Sequence, residues 1–191
     1  MREYSIPALA EIPASANAAD VVTRRAAEQP QAVMLRRKTA DGTWSDVTAA
    51  QFAAEVQALA RGFIAAGVQA GDRIALMSHT RYEWTLIDYA LWTAGAIVVP
   101  IYETSSPEQA EWILANSAAR AVIAETDGFA AMISDARDRL PALEHLWLLS
   151  RAARDHVGRV APCRDLRQCG NAVLEQRTSP FSVHPSLCFI S

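Results

Sequence analysis

The sequence predicts an α/β protein, in which an N-terminal β-hairpin precedes successive βαβ units that build a largely parallel sheet flanked by helices. Three observations carry that expectation. From Gly71 to Leu149, short apolar runs alternate with longer segments of helical period, as in "GDRIALMS", "TRYEWTLIDYALWTAG", "AIVVPI", "SPEQAEWILANS" and "ARAVIAE". The run "AIVVPI" is apolar on both faces, as strands inside parallel sheets are. Upstream, Asp41-Gly42 separates two β-like runs, a hairpin signal.

The elements follow in order. Ala19 to Glu28 reads as a short helix that Pro30 stops. "AVMLRR" and "WSDVT" form the hairpin across Thr39 to Thr43. Thr48 offers an oxygen to cap the next helix, with Gln51 three residues on in capping-box position. Phe52, Val56, Leu59 and Phe63 line one buried stripe of that helix, and Gly67 ends it in a left-handed conformation. "GDRIALMS" is a turn and a strand. The helix after it is apolar around much of its circumference, with Ser78 or Thr80 as its cap and Glu83 favoured in its first turn by the helix dipole. "SPEQAEWILANS" begins with Ser106 as cap, Pro107 at the first helical position and Gln109 closing the box. Trp84, Trp92 and Trp112 are expected in the core. "DGFAAMISDARDRLP" is the last helix, its end a solvated patch of Asp135, Arg137, Asp138 and Arg139, and "LEHLWLL" the last strand.

Size and composition bound the function. A chain of 191 residues makes one domain, or one domain and a fragment of another, and 51% apolar residues suffice for a core. A net charge of −3 suggests neither nucleic acid nor an anionic membrane as partner. The first residues lack the long apolar stretch of a secretory signal. Leu86 to Ile101 is too short to span a bilayer and carries Asp88. A cytoplasmic protein is expected, with peripheral membrane contact and oligomeric state left open. Cys163, Cys169 and Cys188 include no CxxC pair, so neither a disulfide framework nor a zinc site is expected, although His156 and His184 lie nearby.

The rhythm ends at Ser150. Residues 150–191 hold six arginines against three acids and all three cysteines, without sustained helical or strand periodicity. The expected organisation is therefore an N-terminal extension at 1–18, a partial α/β domain at 19–149, and an irregular basic tail at 150–191. That tail is either genuine or the product of a shifted reading frame.

The succession "GDRIALMS", a helix carrying "EW", "AGAIVVPIYETSSPEQ" and "ILANSAARAVI" resembles the N-terminal region of AMP-forming acyl-CoA synthetases, and within them the bacterial long-chain fatty acid–CoA ligases. The upstream "WSDVTAAQFAAEVQALARGFIAAGVQAGD" is similar to the family too, so the resemblance spans about Ala19 to Leu149. It implies an ATP-dependent ligase that activates a fatty acid as its acyl-adenylate and passes the acyl group to coenzyme A, with magnesium accompanying ATP. The family's Ser/Thr/Gly-rich phosphate loop ending Pro-Lys-Gly has no counterpart here, nor does its catalytic lysine, since the one lysine, Lys38, falls in the hairpin. The chain alone is expected to be inactive and to bind none of these cofactors tightly. The alternative is a non-catalytic α/β binding or interaction module of the same descent.

Candidate cleft residues are those at the carboxyl ends of strands, where open α/β sheets bind ligands. They are His79 and Arg81 after "RIALMS", and Tyr102, Glu103 and Thr104 after "AIVVPI", as substrate or nucleotide contacts. The competing explanation is ordinary capping and turn chemistry, which accounts for both loops without any ligand. No catalytic residue and no metal ligand is assigned.

Overall fold

Helix α1 (Asp20–Glu28) opens the regular structure, and β1 (Val33–Lys38) pairs antiparallel with β2 (Trp44–Thr48). The computed structural model describes residues 16–39 and 41–149, positions 6, 11 and 13, and the backbone of 160–162; the cysteines, His156 and His184 lie outside them. The hairpin turn is held by the Asp41 carboxylate, which accepts from the Thr43 amide at 3.1 Å and the Thr43 hydroxyl at 2.9 Å. Helix α2 (Ala49–Ala65) starts in the expected capping box. Thr48 Oγ1 accepts the Gln51 amide at 3.3 Å, and Gln51 Oε1 accepts the Thr48 amide at 2.9 Å. Phe52, Val56, Leu59 and Phe63 are all buried, and Gly67 follows at φ +92°.

The main sheet is built from β3 (Arg73–Met77), β4 (Ile97–Ile101), β5 (Ala121–Ala124) and β6 (His145–Leu149) in the order β4-β3-β5-β6, all parallel. Helices α3 (Tyr82–Thr93), α4 (Pro107–Ser117) and α5 (Asp127–Asp135) make the crossovers, α5 running on into a 3-10 turn at Arg137–Arg139. The alternation of side chains along each strand divides the interior in two. Ile74, Leu76, Ala121, Ile123 and Trp147 pack with α2 and α3 on one face. Ala75, Met77, Val122, Ala124 and Leu146 pack with α4 and α5 on the other. Burial of each large side chain contributes about 1.5–3 kcal/mol, so the sheet is the shared floor of two cores.

Four details depart from the sequence expectations. The two-face-apolar β4 is an edge strand among the described residues, hydrogen-bonded to β3 alone. Trp112 is 65% exposed, because α4 buries Ala110 and Leu114 and a residue two positions from each points the opposite way. Trp92 sits at the margin of the α3 stripe, edge-on to Tyr89 at 5.1 Å, while Trp84 is partly buried against the first core as expected. Inside the segment read as irregular, β7 (Val160–Pro162) pairs antiparallel with β6.

The turn from α3 to β4 depends on Gly95. It has φ +81°, and a Cβ there would lie 3.0 Å from the Ala70 Cβ. Its carbonyl accepts the Gly71 amide at 2.9 Å, which ties the start of β4 to the turn that feeds β3.

Candidate functional site

The sheet order places a topological switch point between β3 and β5. The chain leaves β3 for β4 on one side through α3, then returns to the other side of β3 through α4, which lies on the opposite face. Loops after β3 and β5 therefore diverge, and such a crevice at the carboxyl ends of strands is the usual ligand site of open α/β sheets. His79 and Arg81 follow β3 and Glu125 follows β5, so the crevice is lined from both sides.

Here the crevice is filled by its own side chains. Glu125 Oε2 accepts the His79 backbone amide at 2.7 Å and lies 2.9 Å from His79 Nδ1. Its other oxygen accepts from Arg81 Nη1 at 3.0 Å, while Arg81 Nε donates to Glu83 Oε2 at 2.5 Å. The Ser78 hydroxyl stands 3.1 Å from Glu125 Oε2 and 3.0 Å from the His79 carbonyl, and donates to one or the other. The His79 ring also stacks on Phe129 of α5, with centroids 6.1 Å apart.

The electrostatics follow from that geometry. Burial pushes the Glu125 carboxyl up, but the His79 amide and ring, the Arg81 guanidinium and the Ser78 hydroxyl outweigh it and hold it below the ordinary value. Burial alone would lower the Arg81 guanidinium; its bonds to Glu83 and Glu125 reverse the sign and hold it above its ordinary value. One guanidinium thus serves two carboxylates, Glu83 and Glu125. A polyphosphate needs exposed cations and free amides. In this cluster the Arg81 guanidinium is already bonded to two carboxylates and the His79 amide to Glu125, and among the described residues no group of three or more His, Cys, Asp or Glu is arranged to hold a metal ion. The described residues of this crevice do not fit ATP and magnesium, although the sequence resemblance implies both for the family.

The second set of candidates lies one strand over. Tyr102 and Thr104, with Gln109, Trp112 and Ile113 of α4, line an open concavity of about 520 Å³, and Glu108 stands among them. Glu103 is not among its lining residues. The capping chemistry expected for α4 is present: Ser106 Oγ accepts the Gln109 amide at 3.3 Å, and Gln109 Oε1 accepts the Ser106 amide at 3.0 Å. That expected for α3 is not, since its N-cap is Arg81, with no side-chain cap. Ser78 stands instead within reach of Glu125 and the His79 carbonyl, and Glu83 bonds to Arg81 rather than serving the helix dipole alone.

The structure thus brings His79 and Arg81 together and sets Tyr102 and Thr104 in a separate hollow. Glu125 was not singled out from sequence, although its position at the end of "ARAVIAE" was the available signal: it ends the strand next to the one His79 follows. One buried acid belongs to neither group. Asp88 on α3 is 8% exposed, with no hydrogen-bond partner among the described residues, and burial pushes its carboxyl up to about 6.

Comparison with known proteins places this architecture. Residues 22–174 match the family model described as AMP-binding enzyme, a span that runs past Leu149 into the basic segment. The chain is 41% identical over 160 residues to the long-chain-fatty-acid–CoA ligase FadD15 of Mycobacterium bovis, an alignment covering 84% of this chain and 26% of that protein. Among solved structures, a long-chain-fatty-acid CoA ligase of Rhodopseudomonas palustris superposes with a TM-score of 0.61 at 26% identity, covering 70% of this chain and 32% of its own. The anthranilate CoA ligase AuaEII, solved with anthranoyl-AMP, superposes at 0.62 with 27% identity, covering 72% and 26%. The chain spans about a quarter of the length of the curated ligases it matches first, and corresponds to their N-terminal part. With the family model matched over residues 22–174 and solved ligases superposing on most of its length, the chain belongs to the AMP-binding enzyme family.

Proposed function

We propose that this chain supplies the N-terminal α/β layer of an AMP-forming long-chain fatty acid–CoA ligase, the enzyme that converts fatty acid, ATP and coenzyme A to acyl-CoA, AMP and pyrophosphate. The observation that carries the reading is the 41% identity to FadD15 across 84% of the chain. Fatty acid and coenzyme A are then the substrates of the complete enzyme, and ATP with magnesium its activating pair. A carboxylate is a poor electrophile, and the mixed anhydride with AMP supplies the leaving group that thiol attack requires. Stabilising charge on the transferring phosphate takes cations and backbone donors. In this reading the Glu125 cluster braces the switch point, and the chemistry is done by residues beyond those of this chain. His79, Arg81, Tyr102, Glu103 and Thr104 serve as structure at the rim of the cleft, and the location is cytoplasmic.

The test is ATP–pyrophosphate exchange with a long-chain fatty acid and magnesium, using the 191-residue chain. Exchange at the level of a protein-free blank is expected. Robust exchange by the chain alone would overturn the assignment of catalysis to other residues. No helix among the described residues is long and apolar enough to cross a membrane.

A further inference from the structure

The brace at the switch point uses only one nitrogen of the His79 ring. Nδ1 lies 2.9 Å from Glu125 Oε2, while Nε2 has no hydrogen-bond partner among the described residues. Glu125 is ionised at neutral pH, being held below its ordinary value, and an ionised carboxylate can only accept. In the neutral ring Nδ1 therefore carries the proton and Nε2 the lone pair. The His79 amide, which donates to the same Glu125 oxygen at 2.7 Å, and the stack on Phe129 fix the ring in place. The side chain is still 57% exposed, and with Nδ1 and one face engaged, that exposure falls on the Nε2 edge and the other face. A carboxylate on one imidazole nitrogen holds the tautomer and makes the other nitrogen a better electron-pair donor.

What that nitrogen can take follows from its surroundings. The neighbouring hydroxyl, Ser78, reaches Glu125 and the His79 carbonyl, and no hydrogen bond joins it to the imidazole. The ring is therefore not the base of a serine nucleophile; it is itself the nucleophile on offer. A phosphoryl donor needs a cation beside it, and the Arg81 guanidinium is already bonded to Glu83 and Glu125. An uncharged activated ester needs none. Attack on its carbonyl turns the ring into an N-acylimidazolium, whose positive charge faces the Glu125 carboxylate. We propose that His79 Nε2 is a nucleophilic site for uncharged activated acyl esters, with Glu125 as its positioning residue. The Nε2 lone pair bonds to the acyl carbon, the ester C–O bond breaks with its electron pair leaving on the alkoxide or phenolate, and Nδ1 keeps its proton. Water then adds to the acyl carbon and the C–N pair returns to Nε2, so that ester and water give acid and alcohol. The site goes beyond the ligase reading, since it needs neither ATP nor residues outside this chain.

The experiment gives the 191-residue chain p-nitrophenyl acetate at neutral pH and, separately, diethyl pyrocarbonate, with the modified histidines located by peptide mass spectrometry. The expected result is that His79 is modified several-fold faster than His145, which is also exposed but has its Nε2 3.9 Å from Glu144 and no carboxylate on Nδ1. Release of p-nitrophenolate is expected to fall several-fold in His79→Gln and in Glu125→Gln, each checked for native circular dichroism. Equal rates at His79 and His145, or undiminished hydrolysis by His79→Gln, would overturn the nucleophilic site, and undiminished hydrolysis by Glu125→Gln the role of Glu125. The wild-type chain supplies a readout that does not depend on any variant folding. Long-range nitrogen–proton spectra at alkaline pH, where the rings are neutral, should show His79 protonated on Nδ1, and a His79 ring protonated on Nε2 defeats the proposal.

Discussion

At the scale of single residues, two carboxylates set opposite pH dependences. Glu125 is held below its ordinary value of 4.5, so its contribution is present above that pH and is lost as pH falls through the folded value. Asp88 runs the other way: its carboxyl ordinarily titrates at 3.8 and is pushed up to about 6, so stability declines as pH rises between those values and stays reduced above them. Two variants resolve the terms in a pH series of urea unfolding. Glu125→Gln flattens the acidic limb and lowers stability at pH 7 by about 1–3 kcal/mol, because Arg81 and the His79 amide lose a charged acceptor. Asp88→Asn removes the decline and raises stability at pH 7 by about 1–3 kcal/mol. A loss of stability in Asp88→Asn would mean that the carboxylate has a partner that the described residues do not supply.

At the scale of elements, most of the fold was legible because each rule is local. The capping boxes of α2 and α4 depend on residues three apart, and the stripe from Phe52 to Phe63 on one helical face. What was not legible depends on neighbours distant in sequence. Whether β4 lies at an edge is set by where β5 returns, and whether Trp112 is buried is set by the face α4 presents to the sheet. Helix α4 also ends without the glycine that marks such ends. Ala118 takes the left-handed C-terminal position at φ +49°, with amides still bonded to the Ala115 and Leu114 carbonyls. An L-residue pays about 1–2 kcal/mol for that conformation, while glycine pays little. Ala118→Gly is therefore expected to raise stability by about 1 kcal/mol, read as a higher urea midpoint at unchanged slope. A lower midpoint would mean that the methyl group packs well enough to outweigh the strain.

At the scale of the molecule, the candidate site shows the same limit. His79 and Arg81 could be placed at a strand end from sequence, but their partner Glu125 stands more than forty positions on and meets them only because β5 lies beside β3. That adjacency also governs stability. The two cores share no side chain but share all four parallel strands, since each of those strands sends alternate residues to opposite faces. Loss of either core therefore strips one face of the same four strands. The consequence is a single unfolding transition, whichever core is weakened. Phe63→Ala removes a fully buried ring from the α2 side, where it meets Trp147 at 5.6 Å, and is expected to cost about 3–5 kcal/mol. Leu114→Ala opens the α4 side at an expected cost of about 2–5 kcal/mol. Urea unfolding followed by both far-ultraviolet circular dichroism and tryptophan emission should give coincident midpoints in each variant, because Trp147 reports from the first core and the helical signal from both. Leu114→Ala is the sharper case. If its circular dichroism falls while the emission of buried Trp147 stays native, the α4–α5 face melts by itself, and the sheet does not couple the layers as their shared strands require.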